Sequence, residues 1–149
     1  MAQLSGKSAL VTGATRGIGR GIAEGLADAG ARVAVNHLPD PTEQDTAETV
    51  VDAIETDGGE AMALAGDVSD ADSVQEMIDT FEDEWGAVDV LVNNAGMLTQ
   101  SELVDMPVEM WDETMSVDLR GVFLTTRFAL PGMLAAGDGS VVNVASQLG

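Results

Sequence analysis

The segment Thr12-Gly13-Ala14-Thr15-Arg16-Gly17-Ile18-Gly19 constrains this chain more than any other, because it follows a β-branched run and opens a helical pattern. Ser8-Ala9-Leu10-Val11-Thr12 reads as a strand and Arg20–Asp28 as the body of a helix. Gly13 permits a tight turn off the strand. Gly17 and Gly19 remove Cβ atoms where a ligand must approach backbone and where the helix presses on the sheet. The helix N-terminus then offers unpaired N–H groups and a partial positive charge to an anion such as a pyrophosphate. No Lys-Ser/Thr pair follows the glycines, which excludes the loop of phosphate-cleaving NTPases. A tight strand–helix turn that binds nothing is the alternative reading of the same residues.

The remaining chain repeats this alternation. Further strands are expected at Arg32-Val33-Ala34-Val35-Asn36, Ala61-Met62-Ala63-Leu64-Ala65, Val88-Asp89-Val90-Leu91-Val92 and Ser140-Val141-Val142-Asn143-Val144. Between them, Thr42 is expected to cap a helix with Ala47, Val50, Val51 and Ile54 inward, stopping at Gly58-Gly59. Ser69 is expected to cap a second, with Val74, Met77, Ile78, Phe81 and Trp85 on one side. A long helix from about Glu109 to Ala136 carries Met115, Leu119, Val122, Phe123, Leu130 and Met133 as its core stripe, with Pro131 kinking or ending it. Strands alternating with helices in this way imply an α/β domain with a parallel sheet.

Composition narrows the function. A chain of 149 residues fits one domain. No apolar run approaches the roughly 20 residues of a membrane span, and Met1–Lys7 lacks the pattern of a signal peptide. With no cysteine and one histidine, thiolate chemistry and a His/Cys metal cluster are excluded, so no metal site is expected. The formal net charge is −20, and residues 38–119 hold 23 acids and no Lys or Arg. Nucleic acid and anionic membrane both require cationic surfaces, so neither is expected as a partner. The acids are spaced among apolar residues rather than massed in a tail, which points to a folded domain with an acidic shell suited to concentrated salt. A cytoplasmic protein of a high-salt organism is expected.

The spacing Gly-x-x-x-Gly-x-Gly, together with Asp67-Val68, Asn93-Asn94-Ala95-Gly96, Trp111-Asp112, Val117-Asp118-Leu119-Arg120-Gly121-Val122-Phe123 and Asn143-Val144-Ala145-Ser146-Gln147-Leu148-Gly149, resembles the short-chain dehydrogenase/reductase family. Within it, glucose dehydrogenases and 3-oxoacyl carrier-protein reductases look equally similar. The resemblance implies a Rossmann-type doubly wound parallel sheet, strand order 3-2-1-4-5, truncated after the fifth strand. It also implies hydride transfer between a nicotinamide and an alcohol or carbonyl carbon of a small molecule. Gly13, Thr15, Arg16, Gly17, Ile18 and Gly19 would wrap the cofactor phosphates. Asp67 and Val68 would meet the adenine, and Asn94, Ala95 and Gly96 the nicotinamide-side ribose, while Asn93 would pin the fourth strand. Asp67 as a turn cap and Asn93-Asn94 as turn chemistry are the alternatives.

At the end of the second strand an acid would hold the adenosine ribose hydroxyls and repel a 2′-phosphate. Asn36 and His37 stand there instead, and Arg16 is within reach, so NADP(H) is favoured over NAD(H). His37 is expected as a partly exposed loop residue beside the adenine, and a solvated, idle Arg16 is the alternative. Ser146 matches the family's catalytic serine. Asp118 stands where the family usually has an asparagine supporting a proton relay, or is an ordinary helix-face acid. The family's catalytic Tyr and Lys would fall beyond Gly149. The chain has no tyrosine, and its one lysine is Lys7. The expected protein is therefore the cofactor-binding part of an NAD(P)(H)-dependent oxidoreductase, homo-oligomeric when full length, with little activity alone. A catalytically inactive nucleotide-binding regulatory or structural protein is the alternative.

Overall fold

A computed structural model describes residues 3–146. Five parallel strands form one sheet in the order β3-β2-β1-β4-β5. They are β1 (Ser8–Val11), β2 (Arg32–His37), β3 (Glu60–Ala65), β4 (Val90–Asn93) and β5 (Ser140–Asn143). Helices α1 (Gly17–Asp28), α2 (Pro41–Thr56) and α3 (Ala71–Trp85) connect the first four. Between β4 and β5 run a short 3-10 turn (Leu103–Asp105), α4 (Val108–Met115), a π-helical turn (Ser116–Arg120) and α5 (Gly121–Ala136). The expected strand order and the doubly wound α/β architecture are both present.

Alternation along the strands divides the core in two. Ala9, Val11, Val33 and Val35 pack with Ala23 and Ala27 of α1 and with Val50 and Ile54 of α2. Leu10, Ala34, Leu64 and Leu91 point to the other face, against Val74, Met77, Ile78 and Phe81 of α3 and Leu124, Ala129 and Met133 of α5. Burial on both faces explains why β1 is apolar at nearly every position. Trp85 closes the second layer, edge-on to Phe81 at 5.5 Å and beneath the Arg32 guanidinium at 5.3 Å.

Several boundaries differ from expectation for identifiable reasons. Asp40, not Thr42, caps α2: its carboxylate accepts the Glu43 N–H at 2.9 Å, and Pro41 supplies the preset φ of the first helical position. Asp70, not Ser69, caps α3, because the Ser69 hydroxyl and N–H are both bound to Asp67 Oδ1, at 2.7 and 2.9 Å. The expected single helix is interrupted by the π turn, and it passes through Pro131 to end at Gly137 in the left-handed region. Its core stripe is also corrected. Met133 is buried, but Leu119 and Phe123 are each 61% exposed and Leu130 is 42% exposed. α5 is apolar on several sides and meets the sheet through Leu124, Thr125, Ala129 and Met133 instead.

The chain winds outward from β1 through β2 and β3, then resumes on β1's other side with β4 and β5. The sheet therefore changes direction between β1 and β4. Loops leaving the carboxyl ends of those two strands diverge there, leaving a crevice where open α/β sheets take ligands.

Candidate functional site

A cleft of about 580 Å³ opens at that switch point. All thirteen residues expected at a cofactor border it: the glycine-loop group Gly13, Thr15, Arg16, Gly17, Ile18 and Gly19; Asn36 and His37 of β2; Asp67 and Val68; and Asn94, Ala95 and Gly96. Glu43, which the sequence does not single out, borders it as well.

Two asparagines fix the glycine loop. Asn36 Oδ1 accepts the Gly13 N–H at 3.1 Å, while its amide nitrogen donates to Leu64 O at 3.2 Å and Gly66 O at 3.0 Å. From the other side, Asn94 Nδ2 donates to Thr12 O and Gly13 O, each at 3.1 Å. Thr12 Oγ1 in turn accepts the N–H groups of Asn94 and Ala95, each at 3.0 Å. Thr12 thus joins the loop after β1 to the loop after β4, a role only its place at a strand end hints at. Asn36 is 2% exposed. Asn36 stands where an acid would hold the adenosine ribose, but its amide is turned under the loop because buried carbonyls on two sides need its donors.

The glycines meet close backbone. A Cβ on Gly19 would lie 2.4 Å from Gly13 O and 2.3 Å from Asn94 Nδ2, and one on Gly13 would lie 2.9 Å from Ala95 Cα. Gly17 has φ +54° and faces open space, so a side chain there would be strained. α2 and α3 are each capped by an aspartate and carry an acid in the first turn. α1 has neither: its N-cap Arg16 makes no side-chain cap, and no acid stands in its first turn. Its leading N–H groups are left for an anion, so the cradle fits a cofactor pyrophosphate.

Arg16 is 70% exposed at the side chain and paired with Glu43, whose other oxygen accepts from Thr15 Oγ1 at 3.2 Å. His37 is the last residue of β2 and 5% exposed, which corrects the expected partly exposed loop position. It is buried because β2 continues to pair with β3 through Ala65. Its Nδ1 lies 2.7 Å from Leu38 O. Asp67 forms the turn before α3 through Ser69 and also borders the cleft. Val68 is buried against Gly121, where a Cβ would come within 2.9 Å of Val68 Cγ2.

Asn93 pins β4 as expected, donating to Asn143 Oδ1 at 2.9 Å and accepting from Thr125 Oγ1. Asp118 lies in the π turn, and its Oδ1 accepts the Met97 N–H at 2.7 Å, closing the Asn94–Met97 segment beside the cleft. Ser146 is exposed three residues past β5, at the same carboxyl end of the strands as that segment. Gln147, Leu148 and Gly149, the rest of the serine motif, lie outside the described residues, as do Met1 and Ala2. Lys7 sits before β1, at the opposite, amino end of the strands, bound to Asp89 at 3.0 Å and Asp138 at 2.8 Å. No group of three metal-ligating side chains gathers among the described residues.

The chain matches known proteins along nearly its whole length. It is 43% identical over 143 residues to the 3-oxoacyl-(acyl-carrier-protein) reductase of Staphylococcus aureus, covering 96% of this chain and 57% of that protein. An uncharacterized oxidoreductase of Bacillus subtilis is 41% identical over 150 residues, with 100% and 53% covered. The crystal structure of a Burkholderia cenocepacia gluconate 5-dehydrogenase in complex with NADP and tartrate superposes with TM-score 0.89 at 36% identity, over 97% of this chain and 55% of that one. A Mycobacterium marinum short-chain type dehydrogenase/reductase gives 0.91 at 38%, over 97% and 57%. The chain thus spans little more than half the length of these relatives. The short chain dehydrogenase family model matches residues 7–149, and with the site's geometry this places the protein in the short-chain dehydrogenase/reductase family.

Proposed function

We propose that residues 1–149 form an NAD(P)(H)-binding Rossmann domain, the cofactor-binding part of an oxidoreductase acting on a small alcohol or carbonyl compound, with NADP(H) favoured. The observation that carries this reading is the uncapped, acid-free N-terminus of α1 behind a glycine loop held by Asn36 and Asn94. The bound nicotinamide supplies or accepts the hydride. Gly13, Thr15, Gly17, Ile18 and Gly19 would hold the phosphates, and Asp67 and Val68 the adenine. Asn94, Ala95 and Gly96 would border the nicotinamide-side ribose. Arg16 is the cation bordering the cleft and the group suited to a 2′-phosphate. The NADP bound to the gluconate 5-dehydrogenase supports that choice.

On the substrate side, Ser146 would hydrogen-bond the carbonyl oxygen. Asp118 would act by holding the Asn94–Met97 wall through the Met97 N–H. Proton transfer in such a reaction contributes typically 10²–10⁴ in rate. The chain has no tyrosine to supply it, and its one lysine is engaged at the amino end of β1, the far end of the strands from the cleft. We therefore assign the 149-residue chain no more than trace turnover alone, and the same observation favours an inactive nucleotide-binding regulatory protein as the second reading. Sequencing the coding DNA past codon 149 separates the two: an in-frame Tyr-x-x-x-Lys supports the enzyme.

The acidic composition supports a cytoplasmic protein adapted to concentrated salt. No helix among the described residues is long and apolar enough to cross a membrane. The exposed Phe123, Leu130 and Leu134 on α5 support a homo-oligomer for a longer chain. Titrating NADPH and NADH separately into the protein in molar KCl tests the cofactor assignment. Tighter NADPH binding is expected, and equal or weaker binding would remove the NADP preference.

A further inference from the structure

Resting on the NADP(H) reading, we propose that Glu43 is a specificity-determining residue that competes with the cofactor's 2′-phosphate for Arg16. Glu43 stands in the first turn of α2, on the wall of the cleft, and its side chain is 21% exposed. One carboxylate oxygen accepts from Thr15 Oγ1 at 3.2 Å, and the other pairs with the Arg16 guanidinium. Its own N–H is capped by Asp40, so the backbone beneath the carboxylate is fixed independently of the ion pair.

The two partners differ in what can move. The Arg16 side chain is 70% exposed and long, so it can turn toward an anion in the cleft. Glu43 is held by Thr15 and favoured by the N-terminus of α2, so it stays. A phosphate monoester carries about −1.5 to −2 charges at neutral pH. On entering, it gains Arg16 only by drawing it from Glu43, and it then faces the carboxylate left behind. A cofactor without the 2′-phosphate meets neither cost. The net preference for NADP(H) is thus smaller than Arg16 alone would give, and Glu43 sets how much smaller.

The test uses 2′,5′-ADP and 5′-AMP as probes, titrated calorimetrically into the wild-type protein, Glu43→Gln, Arg16→Ala and the double variant. Glu43→Gln is expected to tighten 2′,5′-ADP about five- to tenfold and leave 5′-AMP within about twofold, the size of one partly exposed charge contact plus relieved repulsion. The gain should vanish in the Arg16→Ala background. Glu43→Asp, which retracts the carboxylate, should give a smaller gain in the same direction and serves if the Gln variant melts early. An unchanged ratio of the two affinities in Glu43→Gln, or weakened 5′-AMP binding, overturns the proposal; the latter would make Glu43 a ligand of the ribose hydroxyls. If the NADP(H) reading itself is wrong, the wild type will show no preference for 2′,5′-ADP and Arg16→Ala will change nothing. If only the competition is wrong, the preference and its dependence on Arg16 remain while Glu43→Gln is silent.

Discussion

Asn36 Oδ1 accepts the N–H of Gly13 across 3.1 Å and 23 residues of sequence, so the end of β2 sets the first turn of the phosphate loop. The same amide donates to Leu64 O and Gly66 O, which makes one buried side chain the junction of the carboxyl ends of β1, β2 and β3. Replacing it by alanine strands one N–H and two carbonyls. A loss of about 2–3 kcal/mol is expected by urea unfolding. Asn36→Asp should cost at least as much, because an acceptor-only carboxylate would face those two carbonyls. A stability within about 0.5 kcal/mol of wild type for Asn36→Ala would show that the loop needs no such support.

Asp118 should act on the Asn94–Met97 segment through one bond. Removing the acceptor in Asp118→Ala is expected to speed amide hydrogen exchange at Met97 about tenfold or more, with Asp118→Asn much closer to wild type, since it keeps a carbonyl acceptor. Equal exchange in all three would mean that the contact does not order the segment.

Two carboxylates should give opposite pH signatures. Burial pushes Asp89 up, but donation from the Ser8 N–H, the Lys7 ammonium and the Ser8 hydroxyl outweighs it, holding the folded-state carboxyl below 3.8. Its contribution is therefore present above that value and lost as pH falls through and below it. Wild type and Asp89→Asn should differ by a few degrees in Tm at pH 7 and converge toward pH 3. Glu82 is raised above 4.5, first by burial and then by Asp79 and Asp83, and its Oε1 is buried without a hydrogen-bond partner among the described residues. A raised carboxyl favours the protonated fold, so its cost appears as pH climbs past 4.5. Glu82→Gln should raise Tm at pH 7 and leave it unchanged at pH 4. Parallel pH profiles for wild type and either variant would contradict the assignment.

A net charge of −20 on 149 residues makes self-repulsion a large term at low ionic strength. Tm is expected to rise by about 10 °C or more between 10 mM and molar KCl, since the Debye length falls from about 30 to 3 Å over that order of change in salt. A flat response would remove the case for adaptation to concentrated salt.

The architecture was legible because β1, β2 and β4, buried on both faces, are written as apolar runs, and β5 is written the same way although it is exposed in this chain. The glycine loop was legible for a sharper reason: Gly13 and Gly19 stand where any Cβ would collide with Ala95 or Gly13 O. Side-chain direction was not. Asn36 and His37 are adjacent in β2, yet only the register with β3 reveals that Asn36 is turned under the loop. The α5 stripe misled because the helix is apolar on more than one side, so periodicity could not choose the face that meets the sheet. Glu43 was one acid among 26, and nothing in its spacing marks it as the residue that meets Arg16.

A glycine loop held by Asn36 and Asn94 is the proposed dinucleotide site. Fluorescence titration of NADPH into the folded protein in molar KCl, beside Gly19→Ala and Gly21→Ala, tests it most directly. A Cβ on Gly19 collides with Gly13 O and Asn94 Nδ2, whereas one on Gly21, two residues further into α1, meets nothing within 4 Å. Saturable binding to wild type and Gly21→Ala is expected, with a loss of about 100-fold or more in Gly19→Ala at unchanged helical content, given backbone displaced where phosphates must dock. No binding to folded wild-type protein, or equal binding to Gly19→Ala, would rule out a dinucleotide site at this loop.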